Sequence, residues 1–118
     1  MDHKDLDVWK YGMNCVDQVY KLTCSFPDEE KFGLVNQMRR CAVSIPSNIA
    51  EGSARQGNKE FAHFISIAIG SLAELETQYL IAIRLGYIEN NSDFNKLLID
   101  LKKLLLGFRN HLKRTTNH

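Results

Sequence analysis

Apolar residues recur along most of the chain at alternating steps of three and four, which is the spacing of helices that pack in a left-handed bundle. The pattern covers residues 8–26, 35–52, 61–86 and 94–112, and no segment shows the polar–apolar alternation that marks a β-strand. The first two apolar seams carry smaller side chains than the last two, which lets facing layers interdigitate. The pattern predicts an all-α fold.

Helix-breaking residues fall between these segments. Pro27 disfavours helix at the residue before it, and the acids that follow favour a new helix beginning near Asp28. Gly57 can take a left-handed cap conformation with Asn58 as a capping side chain, and Gly86 marks the last turn. Because each connection has about three to six residues, we predict an up-down-up-down antiparallel four-helix bundle.

One residue inside the second seam breaks the local rules. Pro46 has no N–H to donate, and its ring clashes with the carbonyl oxygen of Ala42, at a cost of about 3 kcal/mol. The apolar seam nevertheless continues to Gly52. We therefore predict that the second helix is kinked near Pro46, and a helix in two pieces is the alternative.

The composition, 44% hydrophobic and 25% charged, is typical of one globular domain that occupies residues 1–118. No apolar stretch approaches the roughly 20 residues of a membrane span, and the charged N-terminal stretch predicts no signal or targeting helix. The chain has an odd number of cysteines, Cys15, Cys24 and Cys41, without CxxC spacing. We predict reduced, buried thiols in a cytoplasmic protein with no membrane partner.

The net charge of +1 does not by itself indicate a nucleic-acid partner. After Asp100, however, the chain contains no acid. Its cations there, which we call the basic group, are Lys102, Lys103, Arg109, Lys113 and Arg114. Repeated around an oligomer, this group would present a multivalent field to the phosphates of RNA or DNA. The alternative is that these cations complement the dipole of the last helix and are solvated.

The third segment carries a second apolar line, offset by one residue from its seam. The line consists of Ile69, Ala73, Leu80, Ile83 and Tyr87. A helix in a four-helix bundle needs only one apolar face, and a wider apolar arc indicates that another subunit covers it. We therefore predict a homo-oligomer with this line at the interface between subunits.

A motif in the second and third segments resembles a known family. Residues 37–52 read QMRRCAVSIPSNIAEG and are followed by Arg55, Phe61 and Glu74. This pattern resembles the bacterial four-helix-bundle proteins encoded in intervening sequences of 23S rRNA genes, to which the accessory variability proteins of retroelements are related. The resemblance covers about residues 7–112. It implies the up-down bundle, association into a ring with pentamers expected, no established catalysis, and, from some relatives, a basic surface that engages nucleic acid.

The motif contains polar or conformationally unusual residues for which we expect a structural role, with ligand or metal binding as the alternative. They are Arg40, Pro46, Asn48, Glu51, Gly52 and Glu74. A single Glu-x-x-His unit, Glu60 to His63, is only part of what a di-iron bundle requires. The chain has no P-loop, dinucleotide fingerprint, GxSxG or HExxH motif. We predict that the protein is not an enzyme and has no catalytic, cofactor or metal residues.

These features together predict a non-enzymatic, homo-oligomeric scaffold that binds RNA or DNA through the basic group. The alternative is an adaptor for protein–protein interaction with no nucleic-acid role, which docks its partner through the apolar surface of the third helix. The two differ in salt sensitivity, because apolar docking is nearly indifferent to moderate salt.

Overall fold

Four α-helices and two short 3₁₀ helices form within residues 2–115, the part of the chain that the computed structural model describes. The α-helices are α1 (Asp7–Thr23), α2 (Leu34–Ser53), α3 (Asn58–Arg84) and α4 (Ser92–Arg114). The 3₁₀ helices, His3–Asp5 and Asp28–Glu30, precede α1 and α2. Each α-helix packs against its neighbours in the chain, and α4 also packs against α1. The result is the predicted all-α four-helix bundle, with dimensions of 51 × 24 × 20 Å.

The predicted seams form the core of the bundle. Every seam residue of α2, from Val35 to Gly52, is buried, and Tyr79 of α3 meets Phe94 of α4 edge-on with 4.8 Å between ring centroids. Burial of one such side chain contributes about 1.5–3 kcal/mol. The spacing of the first seam predicts Leu22 as the core residue in the last turn of α1, but Leu22 is half-buried and Thr23 is buried instead. The hydroxyl of Thr23 donates to the carbonyl oxygen of Val19 at 2.8 Å.

The connection between α1 and α2 differs from the prediction. Asp28 begins only a single 3₁₀ turn, and the α-helix itself starts six residues later at Leu34. Gly33 occupies the N-cap position and has no side chain to cap the helix. The carboxylate of Glu30 supplies the missing acceptor, because it receives the backbone N–H of Leu34 at 3.2 Å.

The other two connections contain the predicted glycines, Gly57 and Gly86, which have φ of 89° and 78°. Such positive φ is readily available only to glycine. The prediction that Asn58 caps α3 is wrong. Asn58 lies inside α3, and its amide donates to the hydroxyl of Thr115 at 2.6 Å, which ties the start of α3 to the end of α4. Asn91 is the side chain that caps a helix here, since it accepts the N–H of Phe94 at 2.9 Å.

Pro46 lies inside α2, which spans Leu34–Ser53 as one helix rather than in two pieces. The kink at this position stays a prediction. The proline is buried, and a Cβ placed on Gly12 of α1 would lie 3.5 Å from its ring. Pro46 therefore supplies apolar packing where a glycine lets α1 approach α2.

Candidate interaction surfaces

The basic group lies on the solvent side of α4 but not on one face. Four of its members are exposed, and Arg109 is half-buried. At 3.6 residues per turn, Lys102, Arg109 and Lys113 project from one side of the helix, with Lys103 and Arg114 about 100° further round. Lys102 lines a depression on the side of α3, and Lys103 lines one on the side of α1. The structure therefore places these cations in two rows rather than in a single cluster.

Arg109 differs from the rest of the basic group. Its Nε is buried and has no hydrogen-bond partner among residues 2–115. Because Arg109 is half-buried, a carboxylate in its place would be partly removed from water without a partner, which would destabilise the fold as well as change the charge. Lys103 and Arg114, which are exposed, are better positions for testing the charge of this surface.

Five acidic residues lie in or beside the two connections at one end of the bundle. The antiparallel order brings the α1–α2 and α3–α4 connections together there, and we call this the acidic end. Its acids are Asp28, Glu29, Glu30, Glu89 and Asp93. The opposite end holds the last turns of α4 together with Arg55 and Lys59, and it too carries acids. They are Asp2, Asp5, Asp7, Glu51 and Glu60. The second half of α4 itself carries no acid, although Glu76 of α3 lines the depression of Lys102 and Asp7 of α1 lines that of Lys103.

Two contacts of Tyr87 join the connections at the acidic end. The ring of Tyr87 lies 5.4 Å from that of Phe26, and its hydroxyl donates to the carboxylate of Glu30 at 2.6 Å. This hydrogen bond, helped by the N–H of Leu34, lowers the pKa of Glu30, and it raises the pKa of Tyr87. Ionised Glu30 therefore holds the start of α2 and the α3–α4 connection together.

Two residues of the motif, Asn48 and Gly52, lie at the contact between α2 and α3. The amide of Asn48 donates to the carbonyl oxygen of Ser44 at 2.8 Å and to its hydroxyl at 2.9 Å. That hydroxyl is hydrogen-bonded to the hydroxyl of Ser71 on α3 at 2.9 Å. One turn further along α2, a Cβ on Gly52 would come within 2.7 Å of the Cβ of Phe64. The hydrogen bonds of Asn48 and Ser44, and the absence of a side chain at Gly52, both allow α2 and α3 to pack closely.

The charged residues of the motif lie on the outer surface. Glu51 pairs with Arg55 one turn later at 2.8 Å rather than with a residue of a neighbouring helix. Both side chains are about half exposed, and such a pair contributes only about 0.2–0.5 kcal/mol. Glu74 reaches across to α2, where its carboxylate lies 3.6 Å from the thiol of Cys41. Arg40 is exposed and forms no hydrogen bond or ion pair with the described residues.

The predicted apolar line divides into two parts. Ile69, Ile83 and Tyr87 pack against the core, whereas Ala73 and Leu80 face solvent. Leu80 is 54% exposed and lines an apolar depression of about 450 Å³ on the outer surface of α3. The other residues that line this apolar depression are Thr77, Ile81, Ile83 and Arg84.

A family model described as 23S rRNA-intervening sequence protein matches residues 4–107, which include the whole motif. The chain belongs to this family. The match covers all of α1, α2 and α3, and most of α4. A comparison with curated proteins finds no match. Within the basic group, Lys102 and Lys103 fall inside the matched range of the intervening-sequence family, and Arg109, Lys113 and Arg114 lie beyond it.

The family description names no reaction, and the described residues hold few features of a catalytic or metal site. Glu60 and His63 are exposed in the first turns of α3. Within residues 2–115, no group of three or more His, Cys, Asp or Glu side chains is placed to hold a metal ion. In the same range, no helix is long and apolar enough to span a lipid bilayer.

The cysteines of this family member have different environments. Cys15 is buried, and burial raises the pKa of its thiol to about 12. Burial also raises the pKa of the half-buried Cys41, and the nearby carboxylate of Glu74 adds to the effect. The prediction of a buried thiol is wrong for Cys24, which follows the last turn of α1 and is exposed. Raised pKa values keep Cys15 and Cys41 protonated at neutral pH, so neither is activated as a nucleophile.

Two surface features were missed in the sequence. Arg39 stacks on Tyr20 with 4.4 Å from its guanidinium carbon to the ring centroid, while its Nε donates to the hydroxyl of Thr23 at 3.0 Å. Phe32 is 87% exposed in the α1–α2 connection. The sequence feature that could have indicated this exposure is the position of Phe32 between the acidic residues 28–30 and Gly33, outside every apolar seam.

Proposed function

We propose that the protein is a non-enzymatic, homo-oligomeric four-helix-bundle scaffold of the cytoplasm that binds RNA or DNA through α4. The observation that supports this function is the second half of α4, which has no acid of its own after Asp100 and exposes four of its five cations. The acidic connections lie at the far end of the bundle, so they oppose phosphate binding there least. A net charge of +1 then conceals a local positive surface.

Binding at this surface is directed to phosphates rather than to bases. The aromatic residue nearest to the basic group in the chain is Phe108, and its ring packs against Phe61 of α3 with 5.2 Å between centroids. Base stacking requires exposed rings, whereas recognition of backbone and shape requires only placed cations. One subunit offers few contacts, and an oligomer multiplies them. The resemblance to ring-forming relatives favours five subunits, a number that stays a prediction.

The first test is fluorescence anisotropy with a labelled structured RNA at about 50 and 200 mM salt, with the solution mass of the protein measured in the same buffers. Each phosphate contact contributes about 0.9 to the slope of log affinity against log salt. The double variant Lys103→Glu and Arg114→Glu should lower the affinity at least tenfold and reduce the slope by about 2.

The matched control is Lys10→Glu with Lys21→Glu, which changes the net charge equally on the exposed surface of α1. It should lower the affinity far less than the α4 variant. Equal losses in both variants would show that only the overall charge matters and would remove α4 as the site. No binding by the wild-type protein at either salt concentration would refute the nucleic-acid function.

The second candidate function, a protein-interaction adaptor, is favoured by one observation. Leu80, Ile81 and Leu85 are 54%, 42% and 55% exposed near the end of α3, which is unusual for side chains of this size on a bundle surface. An adaptor would capture its partner with little dependence on salt, since apolar contacts are not screened. A salt-insensitive partner in pull-down, together with absence of RNA binding, would establish this alternative.

A further inference from the structure

The most exposed large apolar side chain among the described residues is Phe32, at 87%. It lies in the turn before α2, where the ammonium group of Lys31 is 5.6 Å from the ring centroid. The ring takes no part in the core, so its exposure to water is not offset by packing within the same chain. An exposed aromatic side chain of this kind is typical of an anchor that enters a pocket on a partner.

The same chain carries a matching receptor surface, the apolar depression on α3. Its volume is about 450 Å³, and for comparison a cavity of about 150 Å³ in another protein holds a benzene molecule. Leu80 and Ile81 supply its apolar walls, and Arg84 lies at its edge. A guanidinium beside an aromatic ring adds a favourable cation–π contact.

We propose that Phe32 of one copy inserts into the apolar depression on α3 of a second copy. This inference rests on the proposed homo-oligomeric function and deepens it by naming the contact between subunits. The anchor and the depression are different surfaces, and in the proposed head-to-tail contact each subunit gives Phe32 to one neighbour and receives the phenyl ring of another.

Charge complementarity supports a second copy as the occupant. The four residues just before Phe32 are Asp28, Glu29, Glu30 and Lys31, three acids and one base, so this stretch is negative overall, whereas the depression carries the cation Arg84. An acidic stretch around the anchor and a cation beside the pocket steer the two surfaces together and fix their orientation.

The position of the two surfaces along the bundle allows a ring. Phe32 belongs to the α1–α2 connection, and the depression lies in the last two turns of α3, so both are near the acidic end. With both surfaces at the same height, subunits associate side by side, and a repeated head-to-tail contact closes into a ring when its rotation closes. The same contact gives an open filament when the rotation does not close.

The first experiment measures the solution mass of the full chain, wild type and Phe32→Ala, by sedimentation over a range of concentrations. Because Phe32 is exposed and lies outside the core, Phe32→Ala should remain folded, with a helical circular dichroism spectrum and a cooperative thermal unfolding transition. Its dissociation constant for assembly should rise by at least about 30-fold, the range of an interface hot spot. The matched control is Met13→Ala, which removes another exposed apolar side chain from α1 and should leave assembly unchanged.

The second experiment mixes two defective variants. Phe32→Ala keeps the depression, and Leu80→Glu keeps the anchor while placing an acid where Asp28 and Glu29 approach. Each alone should be monomeric, and the 1:1 mixture should form a heterodimer of twice the 13.5 kDa chain mass and nothing larger, since only one good contact remains. A mixture that stays monomeric, or that rebuilds the full assembly, would overturn the head-to-tail contact.

These outcomes separate this inference from the function on which it rests. A wild-type protein that is monomeric at all concentrations refutes the homo-oligomeric scaffold itself. A wild-type oligomer that Phe32→Ala leaves intact refutes only the anchor, and the scaffold stands with a different interface.

Discussion

At the scale of single residues, the Glu30 side chain links the start of α2 to the α3–α4 connection at the acidic end. Its two carboxylate oxygens are divided between two tasks, capping α2 through the N–H of Leu34 and receiving the hydroxyl of Tyr87. The bond to Tyr87 is not visible in the sequence, because Tyr87 lies 57 residues away along the chain. The sequence did show an acid-rich stretch that favours a helix start, but not which acid would act as the cap.

Replacing Tyr87 by phenylalanine tests this connection. The Tyr87 hydrogen bond lowers the pKa of Glu30 from 4.5 and raises that of Tyr87 from 10.0. The lowered pKa of Glu30 stabilises the fold above about pH 4.5, and this stabilisation disappears as the pH falls through the folded-state pKa. The raised pKa of Tyr87 stabilises the fold below about pH 10, and this stabilisation disappears as the pH rises through the folded-state pKa. The stability difference between wild type and Tyr87→Phe should therefore be largest between these limits.

Urea denaturation across this pH range, with the Glu30 pKa followed by NMR, measures both effects. The pKa of Glu30 should rise toward 4.5 in Tyr87→Phe. Tyr20→Phe is the control, because the Tyr20 hydroxyl has no hydrogen bond with the described residues. An unchanged Glu30 pKa in Tyr87→Phe would show that the bond does not form in solution.

At the scale of elements, the apolar seams were predictable because a helix repeats its faces every three or four residues, which is a local property of the sequence. The structure buries Ile45, Ile65 and Leu101 as that period requires. The helix ends were less predictable, since they depend on which distant group satisfies the free backbone or side-chain atoms. Asn58 had the chemistry of a cap, yet its amide bonds to Thr115, which only the folded bundle brings near.

The close contact of α2 with α3 gives a prediction for Gly52. An alanine Cβ there would lie 2.7 Å from the Cβ of Phe64, which is fixed to the backbone of α3, so the two helices must separate. Overpacking of this kind costs about 1–3 kcal/mol, more than the 0.5–1 kcal/mol or so by which alanine improves a helix interior. Gly52→Ala should therefore lower the free energy of unfolding, as measured by chemical denaturation.

The control for this change is Gly107→Ala in α4, where an added Cβ meets nothing within 4 Å. It should raise the free energy of unfolding by about 0.5–1 kcal/mol. The two substitutions are chemically identical, so opposite signs isolate the packing of α2 on α3. Equal stabilisation by both would mean that Phe64 moves aside at no cost.

At the scale of the whole molecule, the charge distribution follows from the topology. The sequence showed the cations after Asp100 as a run, but a helix spreads a run around its axis, so the basic group forms two rows. The exposure of Phe32 could not be predicted from the sequence either. Phe32 lies in a connection between helices, where no repeating apolar pattern indicates which side chains are buried. One subunit therefore has Phe32 exposed at the acidic end and a basic surface on α4. By itself this surface offers few groups that bind phosphate.

Assembly and nucleic-acid binding are therefore expected to be coupled. Phe32→Ala removes no charge, and Phe32 lies in the α1–α2 connection rather than on α4. If the ring supplies multivalent binding, the monomeric variant should bind the labelled RNA more weakly and with a shallower salt slope, by about 0.9 for each phosphate that the protein no longer touches. Met13→Ala should match the wild type in both respects. The same affinity and slope in monomeric Phe32→Ala would show that each subunit binds nucleic acid by itself, and that assembly serves another purpose.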